Sequence, residues 1–173
     1  YWKRHGIRQP KTPPKLAARV AKLQQFRTML PTQAWRTVRD ALQGLPDPES
    51  REAKKFANHL YQAGARSYPG HTGSPLDLPA KTLKAGGHGV PGGENMLVKD
   101  DGSVRYFTIR ESARIQTFPD GFQFHGSWSE TMRQLGNAVP VLLGQRVAAS
   151  VAEQLAIAGL SQIAKNEATT RKK

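Results

Sequence analysis

The sequence predicts an α+β fold in which a small β-rich lobe is flanked by helices. Apolar residues recur at helical spacing in the first third of the chain, a strand-turn-strand pattern follows at residues 95–107, and helical patterns return from residue 108. With 173 residues, the chain has room for one domain or one and a half. Its hydrophobic content of 38% and mean hydropathy of -0.58 are low for closing a large core. We therefore expect part of its apolar surface to belong to an absent partner.

Residues 1–66 are predicted to form a basic helical segment. Prolines interrupt residues 1–14, which we expect to be irregular. In residues 15–30 (KLAARVAKLQQFRTML) apolar side chains recur every three or four positions, which predicts an amphipathic helix. Similar patterns predict a second helix within residues 33–46 (QAWRTVRDALQGLP) and a third within residues 49–64 (ESREAKKFANHLYQAG).

The positive charge of the chain is concentrated in this segment. The net charge is +13, and residues 1–66 hold 14 Lys and Arg against 4 Asp and Glu, a net of +10. Such a surface stabilises contact with a phosphate backbone through counterion release. A solvated helix face in a basic protein has the same composition, so charge alone leaves both interpretations open.

Residues 67–107 are predicted to contain a glycine-rich loop and a small sheet. Glycine and proline crowd residues 65–95, and within that stretch residues 81–85 are expected to form a short strand. The apolar runs NMLV and VRYF flank Asp100-Asp101-Gly102-Ser103, a good turn sequence, which predicts a β-hairpin over residues 95–107.

Residues 108–160 are predicted to be helical. Thr108 and Glu111 have the spacing of a capping box at the start of a helix that Pro119 ends. Ser129 is expected to cap the next helix, which Gly136-Asn137 breaks, and residues 161–173 are expected to be a disordered tail. A long amphipathic helix starts at Ala138, with candidate buried positions at Val139, Leu142, Leu143, Val147, Val151, Leu155 and Ile157.

Two dense sequence clusters, RESARIQTFPD and RQLGNAVP, lie within residues 108–140. They resemble the ninth and tenth conserved blocks of DNA cytosine-5 methyltransferases, in the same order and with a loop of plausible length between them. TVRDALQGLP and LPAKTLKAGGHGVPGGEN resemble the target-recognition region of that family, and the similarity covers residues 31–158. The resemblance implies the C-terminal part of such an enzyme. This part would complete the α/β Rossmann-like S-adenosylmethionine-dependent fold of a missing N-terminal portion.

The resemblance also implies roles for individual residues. The tenth block completes the S-adenosylmethionine pocket in the family, which would place Asn137 and Ala138 next to the cofactor. Many members have Ser where this chain has Ala138, so only backbone groups are available there. The ninth block is architectural in the family, and Arg110, Glu111 and Arg114 would form a polar network that supports the recognition region. No residue of this chain is predicted to be catalytic.

Double-stranded DNA is the expected partner, and the resemblance places its contacts in the glycine-rich segment. Hydroxyl groups and glycine amides suit phosphate oxygens, which position a protein on DNA without specifying sequence. Arg66, Lys81 and Lys84 are candidates for reading a base, and nothing in the sequence selects among them. The residues predicted to contact DNA are Thr82, Lys84, Gly86, Gly87, His88 and Gly89.

The chain has no cysteine, and this limits what it can do alone. The family's reaction flips a cytosine out of the duplex, adds a Cys thiolate to C6 and transfers a methyl group to C5. We therefore expect a chain that is inactive without the N-terminal catalytic portion. The first residue is Tyr1, which favours a fragment over a natural split subunit.

Two other classes of protein remain open at this stage. One is a stand-alone, non-enzymatic DNA-binding module, and the other is a basic structural protein of a nucleoprotein particle. Neither explains RQLGNAVP. No apolar run is long enough for a membrane span, and the five histidines lack ligand spacing. We therefore expect no metal and a soluble protein of the prokaryotic cytoplasm, associated with the nucleoid.

Overall fold

The protein is a mixed α and β chain with a small three-stranded sheet. A computed structural model describes residues 1–24, 34–70, 72–85 and 95–170. Contacts divide it into two units, Tyr1–Trp35 and Arg36–Lys173. Within the described residues, no helix is both long and apolar enough to cross a membrane.

The described residues of the first unit include the helices α1 (Trp2–His5) and α2 (Pro14–Gln24). α1 corrects the prediction that residues 1–14 are irregular, and it ends where Gly6 adopts a φ of 66°. α2 confirms the start of the helix predicted over residues 15–30 to within one residue: it starts at Pro14, because proline is tolerated at the first helical position, where an N–H has no partner. The predicted helix beyond Gln24 lies outside the described residues.

In the second unit, α3 (Val38–Leu42) is shorter than the helix predicted within residues 33–46. Thr37 has extended backbone angles, and its side chain forms a reciprocal capping box with Asp40, so the helix starts only at Val38. Trp35, which precedes the helix, is 83% exposed.

The helix predicted over residues 49–64 is wrong. Only a 3-10 helix, Glu52–Lys55, forms there. Asn58 then takes a left-handed φ of 63°, and its side chain bonds to both the N–H and the C=O of Phe124. The next residue, His59, is drawn into the core. Contacts with distant residues therefore override the local helical pattern.

The sheet has the order β1 (Ser74–Pro75), β2 (Met96–Val98) and β3 (Val104–Tyr106). β1 and β2 are parallel, while β2 and β3 form the predicted antiparallel hairpin, with Met96 opposite Tyr106. The strand predicted at residues 81–85 is not formed. This segment does not join the sheet, because the backbone N–H and C=O of Lys84 bond to the side chain of Asn95 and not to a neighbouring strand.

Three helices follow the sheet: α4 (Ile109–Ile115), α5 (Trp128–Asn137) and α6 (Val141–Thr170). The capping box of Thr108 and Glu111 is confirmed. The cap of α5 is Ser127, not the predicted Ser129, because the Ser127 hydroxyl accepts from the N–H of Glu130.

The long predicted helix also differs at both ends. α6 starts at Val141 instead of Ala138, since the residue before it is Pro140. It continues to Thr170, through most of the segment predicted to be a disordered tail, and no Gly or Pro follows Gly159 to interrupt it. The predicted buried positions are not buried within this chain; their exposed fractions range from 46% to 67% at Val139, Leu142, Leu143, Val147, Val151, Leu155 and Ile157.

The core of the second unit lies where the sheet meets α3, α4 and α5. Ile115 and Phe118, which are partly buried, pack against it. The buried apolar side chains that form it are Val38, Leu83, Leu97, Phe107, Ile109, Ala113, Met132 and Leu135.

A buried polar network lies beside this core. Both terminal nitrogens of Arg105 donate to the carboxylate of Glu111, at 2.7 and 2.6 Å. That carboxylate also accepts from the N–H of Thr108, whose hydroxyl bonds to Nδ1 of His59. Nε2 of the same ring bonds to the carbonyl of Pro46, which can only accept. A neutral ring therefore accepts at Nδ1 from the Thr108 hydroxyl.

Glu111→Gln is expected to lower the free energy of unfolding by about 3 kcal/mol, because it leaves the buried guanidinium of Arg105 without a counter-charge. Urea unfolding of the 173-residue chain, followed by circular dichroism, measures the change. Glu130→Gln is the matched control, since Glu130 pairs with Arg133 at the surface, and it should have little effect. Equal losses of unfolding free energy in the two variants would contradict the conclusion that Glu111 is the buried counter-charge of Arg105.

Candidate functional site

The two sequence clusters, RESARIQTFPD and RQLGNAVP, meet in space at the junction of α5 and α6. The side-chain amide of Gln116 donates to the carbonyls of Leu135 at 2.7 Å and Ala138 at 3.3 Å. Its backbone carbonyl accepts from the N–H of Val141 at 3.0 Å. The end of the first cluster therefore holds the turn that the second cluster forms.

Asn137 and Ala138, the predicted cofactor residues, lie in this turn. Asn137 is the last residue of α5, and its side chain is exposed and makes no hydrogen bond with any described residue. Ala138 is half-buried; its N–H donates to Leu135, and its carbonyl accepts from Gln116. The turn therefore presents an exposed carboxamide close in sequence to the exposed aliphatic side chains at the start of α6.

Gly136 brings this turn close to the backbone of Lys84 and Ala85, in the glycine-rich segment. A Cβ atom built on Gly136 would overlap the amide nitrogen of Ala85 and lie 2.6 Å from the carbonyl carbon of Lys84. Only glycine permits so close an approach between two backbones. The side chain of Asn95 bonds to the N–H and the C=O of Lys84 and fixes the same backbone from the other side.

Two of the predicted DNA contacts lie in the described part of the chain. Thr82 and Lys84 are exposed on either side of Leu83, which is buried in the core. This alternation anchors the segment and leaves both polar side chains at the surface. The remaining predicted contacts, Gly86, Gly87, His88 and Gly89, lie outside the described residues.

The three candidates for base reading are all at the surface. Arg66 and Lys84 are exposed. The ammonium group of Lys81 donates to the hydroxyl of Thr72 at 2.9 Å, which restrains its position. The geometry does not select one of the three.

Arg110, Glu111 and Arg114 each contact a different set of groups, and no hydrogen bond joins any two of them. Glu111 belongs to the network with Arg105 and Thr108. Burial lowers the pKa of Arg105, but the hydrogen bonds and charge of Glu111 outweigh that effect, so its pKa is raised.

Arg110 is almost fully buried and contacts no carboxylate. Its guanidinium donates to three backbone carbonyls, those of Ala57, Pro119 and Phe122. Burial lowers its pKa. Arg110 therefore ties the irregular segment around Asn58 to the loop after α4.

Arg114 lies nearer to the surface than Arg110. It pairs with both carboxylate oxygens of Asp120 and also donates to the carbonyl of Gln43. The hydrogen bond from Arg114 lowers the pKa of Asp120. This pair joins the end of α3 to the same loop that Arg110 holds.

Two open clefts flank this loop. One is polar, with a volume of about 490 Å³, and lies between Arg36, Gln43, Arg114 and Asp120. The other has a volume of about 420 Å³ and is largely apolar. Its lining residues are Phe118, Phe122, Gln123, Phe124, His125, Gln134 and Leu135. The described residues contain no group of three or more His, Asp and Glu that could hold a metal ion.

Sequence reasoning missed the residues that hold the turn. Gln116 and Thr117 read as the last residues of a helix, and only Thr117, with its left-handed φ of 61°, departs from that pattern in the structure. Asn95 reads as the start of a strand. Its contact with Lys84 joins residues 11 positions apart, so no local pattern could have identified it.

Comparison with known proteins gives a consistent result. The family model for C-5 cytosine-specific DNA methylases matches residues 10–153. The type II methyltransferase M.NgoFVII of Neisseria gonorrhoeae is 48% identical over 96 residues, 56% of this chain and 22% of that protein. M.AplI of Arthrospira platensis, also a type II methyltransferase, is 43% identical over 77 residues, 44% of this chain and 22% of that protein.

A third relative is the DNA (cytosine-5-)-methyltransferase M.ApeKI of Aeropyrum pernix, which is 52% identical over 48 residues, 28% of this chain and 10% of that protein. The matched part of the chain thus spans about a fifth or less of the length of these relatives.

Gly136→Ala is expected to lower the free energy of unfolding by about 1–3 kcal/mol, because the added methyl group forces apart two packed backbones. Thermal unfolding measures it. Gly144→Ala is the matched control: this glycine lies in α6 with nothing within 4 Å of its Cβ position, so alanine should stabilise the helix by up to about 1 kcal/mol. Changes of the same sign in both variants would refute the close approach.

Proposed function

Because the chain belongs to the C-5 cytosine-specific DNA methylase family, we propose that it is the C-terminal, DNA-recognising part of a DNA cytosine-5 methyltransferase and completes its cofactor pocket. Enzymes of this family generally use S-adenosylmethionine, which supplies the methyl group. The observation that carries the proposal is the turn at Asn137, which presents an exposed carboxamide beside an exposed apolar helix. One wall of a cofactor pocket functions only when another part of the enzyme supplies the opposite wall.

The nucleophile comes from residues outside this sequence. The chain has no cysteine, and addition of a thiolate to C6 of the flipped cytosine needs one. The chain alone is therefore inactive. It contributes binding and orientation, which lower the barrier by holding reactants in place.

The cofactor role falls to Asn137 and Ala138. A carboxamide offers two donors and an acceptor to the polar groups of S-adenosylmethionine. Ala138 has no side-chain polar group, and its carbonyl already accepts from Gln116. Asn137 is consequently the side chain of this turn that engages the cofactor.

The exposed aliphatic side chains of α6 dock on the catalytic portion and complete its Rossmann-like fold. This step is supported by six aliphatic side chains of α6 between Leu142 and Ile157, and by Val139 just before the helix, that are about half exposed or more. Their burial against a partner is favourable at about 25 cal/mol per Å² of apolar surface. Residues 108–160 thus form the docking part of the chain.

DNA binding is assigned to the segment that begins at Thr82 and Lys84 and continues through Gly86, Gly87, His88 and Gly89. The basic residues of the first unit add contacts to the phosphate backbone; residues 1–24 hold seven Lys and Arg and no Asp or Glu. The polar contacts of Arg110, Glu111 and Arg114 support the DNA-binding part of the chain. Their charge-assisted hydrogen bonds fix the angle between that part and the docking part.

The purified 173-residue chain is expected to transfer no methyl group from tritiated S-adenosylmethionine to cytosine in duplex DNA. Transfer should appear when the chain replaces the matching segment of M.NgoFVII, since that supplies a catalytic portion from a relative. The control replaces the nucleophilic Cys of the M.NgoFVII part with Ala, which should abolish transfer.

Methyl transfer by the chain alone would overturn the proposal. Suppose that the chimera folds and binds DNA but transfers no methyl group at any cofactor concentration or to any DNA sequence tested. That result would favour a stand-alone DNA-binding module. Salt-sensitive DNA binding that does not respond to S-adenosylmethionine is the further mark of that alternative.

Changing Lys3, Arg19 and Lys22 to Gln is expected to reduce the salt dependence of duplex DNA binding. Each lost phosphate contact lowers the slope of log Kobs against log salt by about 0.9, so the slope should fall by about 2 or more. The matched control changes Lys99, Arg133 and Arg146 to Gln. Both variants have a net charge of +10, from 13 minus 3. Equal slopes would show that total charge, not the first unit, governs binding.

A further inference from the structure

At the start of α6, the turn between α5 and α6 lacks the side-chain cap that its own residues would normally supply. The first N–H groups of a helix have no partner within the helix, and a side-chain oxygen just before it usually accepts from them. The residue before α6 is Pro140, whose side chain has no acceptor. At the other side of the turn, the last carbonyls of α5 also need donors.

Gln116 and Thr117 supply these groups from another part of the chain. The hydroxyl of Thr117 accepts from the N–H of Leu142 at 2.9 Å, and the carbonyl of Gln116 accepts from the N–H of Val141. The side-chain amide of Gln116 bonds to the carbonyls of Leu135 and Ala138. Two adjacent residues thus cap the end of one helix and the start of the next.

The backbone of Thr117 is strained, which supports a role beyond packing. Its φ is 61°, a left-handed conformation that is a genuine outlier for a β-branched residue. Such strain persists only when surrounding contacts hold it, and it concentrates at functional sites. Here the strained residue aims its hydroxyl at the start of α6.

The two carbonyls that Gln116 binds lie on either side of Asn137 in the sequence. With the backbone held before and after it, the Cα–Cβ bond of Asn137 points in a fixed direction, and the exposed side chain has only its own rotamers to choose among. We propose that Gln116 and Thr117 are positioning residues that set the cofactor affinity of the enzyme through Asn137. This inference rests on the proposed role of Asn137 in the cofactor pocket.

The inference is tested in the active chimera with M.NgoFVII. Gln116→Met keeps the length of the side chain and removes both donors, and Thr117→Val keeps the shape and removes the acceptor. Each is expected to raise the KM for S-adenosylmethionine about tenfold, the effect of weakening the turn by one or two hydrogen bonds. The kcat and the affinity for duplex DNA should stay within about twofold of the parent.

Two variants serve as controls. Thr117→Ser keeps the hydroxyl and should restore the parental KM. Gln123→Met makes the same chemical change as Gln116→Met at an exposed glutamine that has no hydrogen bond with a described residue, and should leave the KM unchanged. Thermal unfolding of every variant confirms that it is folded at the assay temperature.

A second measurement needs no cofactor. Amide hydrogen exchange of the 173-residue chain, read by nuclear magnetic resonance, should show the Leu142 amide exchanging about tenfold faster in Thr117→Val and at the parental rate in Thr117→Ser. An unchanged Leu142 amide in Thr117→Val would overturn the capping role.

The failures are distinguishable. If the parental chimera transfers no methyl group, the proposed function falls, and this inference falls with it. If the parent is active but Gln116→Met and Thr117→Val have a parental KM, or lose kcat at constant KM, this inference alone is wrong. A raised KM in Gln123→Met equal to that in Gln116→Met would also overturn it.

Discussion

The buried pair of Arg105 and Glu111 is the constraint on which the rest of the second unit depends. Two charges taken out of water are costly unless they are paired and hydrogen-bonded; Glu111 accepts from both terminal nitrogens of Arg105 and from the N–H of Thr108, while the buried Nε of Arg105 has no hydrogen-bond partner. One carboxylate therefore joins β3 to the start of α4. The hydroxyl of Thr108 extends the link to His59 and, through the imidazole, to Pro46. The sheet, α4 and the irregular segment before the sheet are held at one buried point.

A fixed α4 determines what happens at its far end. Arg110 and Arg114 project from this helix to the carbonyls and the carboxylate of the following loop, while Gln116 and Thr117 reach the junction of α5 and α6. The same short helix thus orients the loop, the turn and the start of the long helix. These contacts are hydrogen bonds with defined directions, so a change in the orientation of α4 would disturb the geometry of all of them. Apolar packing, which has no preferred direction, could not transmit it in this way.

The sequence predicted the parts of this arrangement that depend on neighbours in the chain. The capping box of Thr108 and the hairpin turn after Lys99 follow from residues three or four positions apart, and the structure confirms both. The prediction of a helix at residues 49–64 was wrong because Asn58 bonds to Phe124, 66 residues away. A local sequence pattern carries no information about so distant a contact. The contacts of Gln116 with Leu135 and Ala138 span 19 and 22 residues and were invisible for the same reason. The site residues themselves came from a resemblance and not from periodicity, and their roles stay predictions.

In the proposed assembly, cofactor binding and docking of α6 are thermodynamically coupled. A carboxamide in water exchanges one hydrogen-bond partner for another, so Asn137 alone gains little net free energy from any ligand. When the exposed aliphatic side chains of α6 are covered, water leaves the neighbourhood of Asn137 and the same hydrogen bonds become stronger in the lower dielectric. A cofactor held by both parts then stabilises the docked state by mass action, and docking raises the affinity for the cofactor by the same factor. An exposed Asn137 on a backbone that Gln116 holds, in a chain whose long helix has uncovered aliphatic side chains, is the form that such coupling requires before assembly.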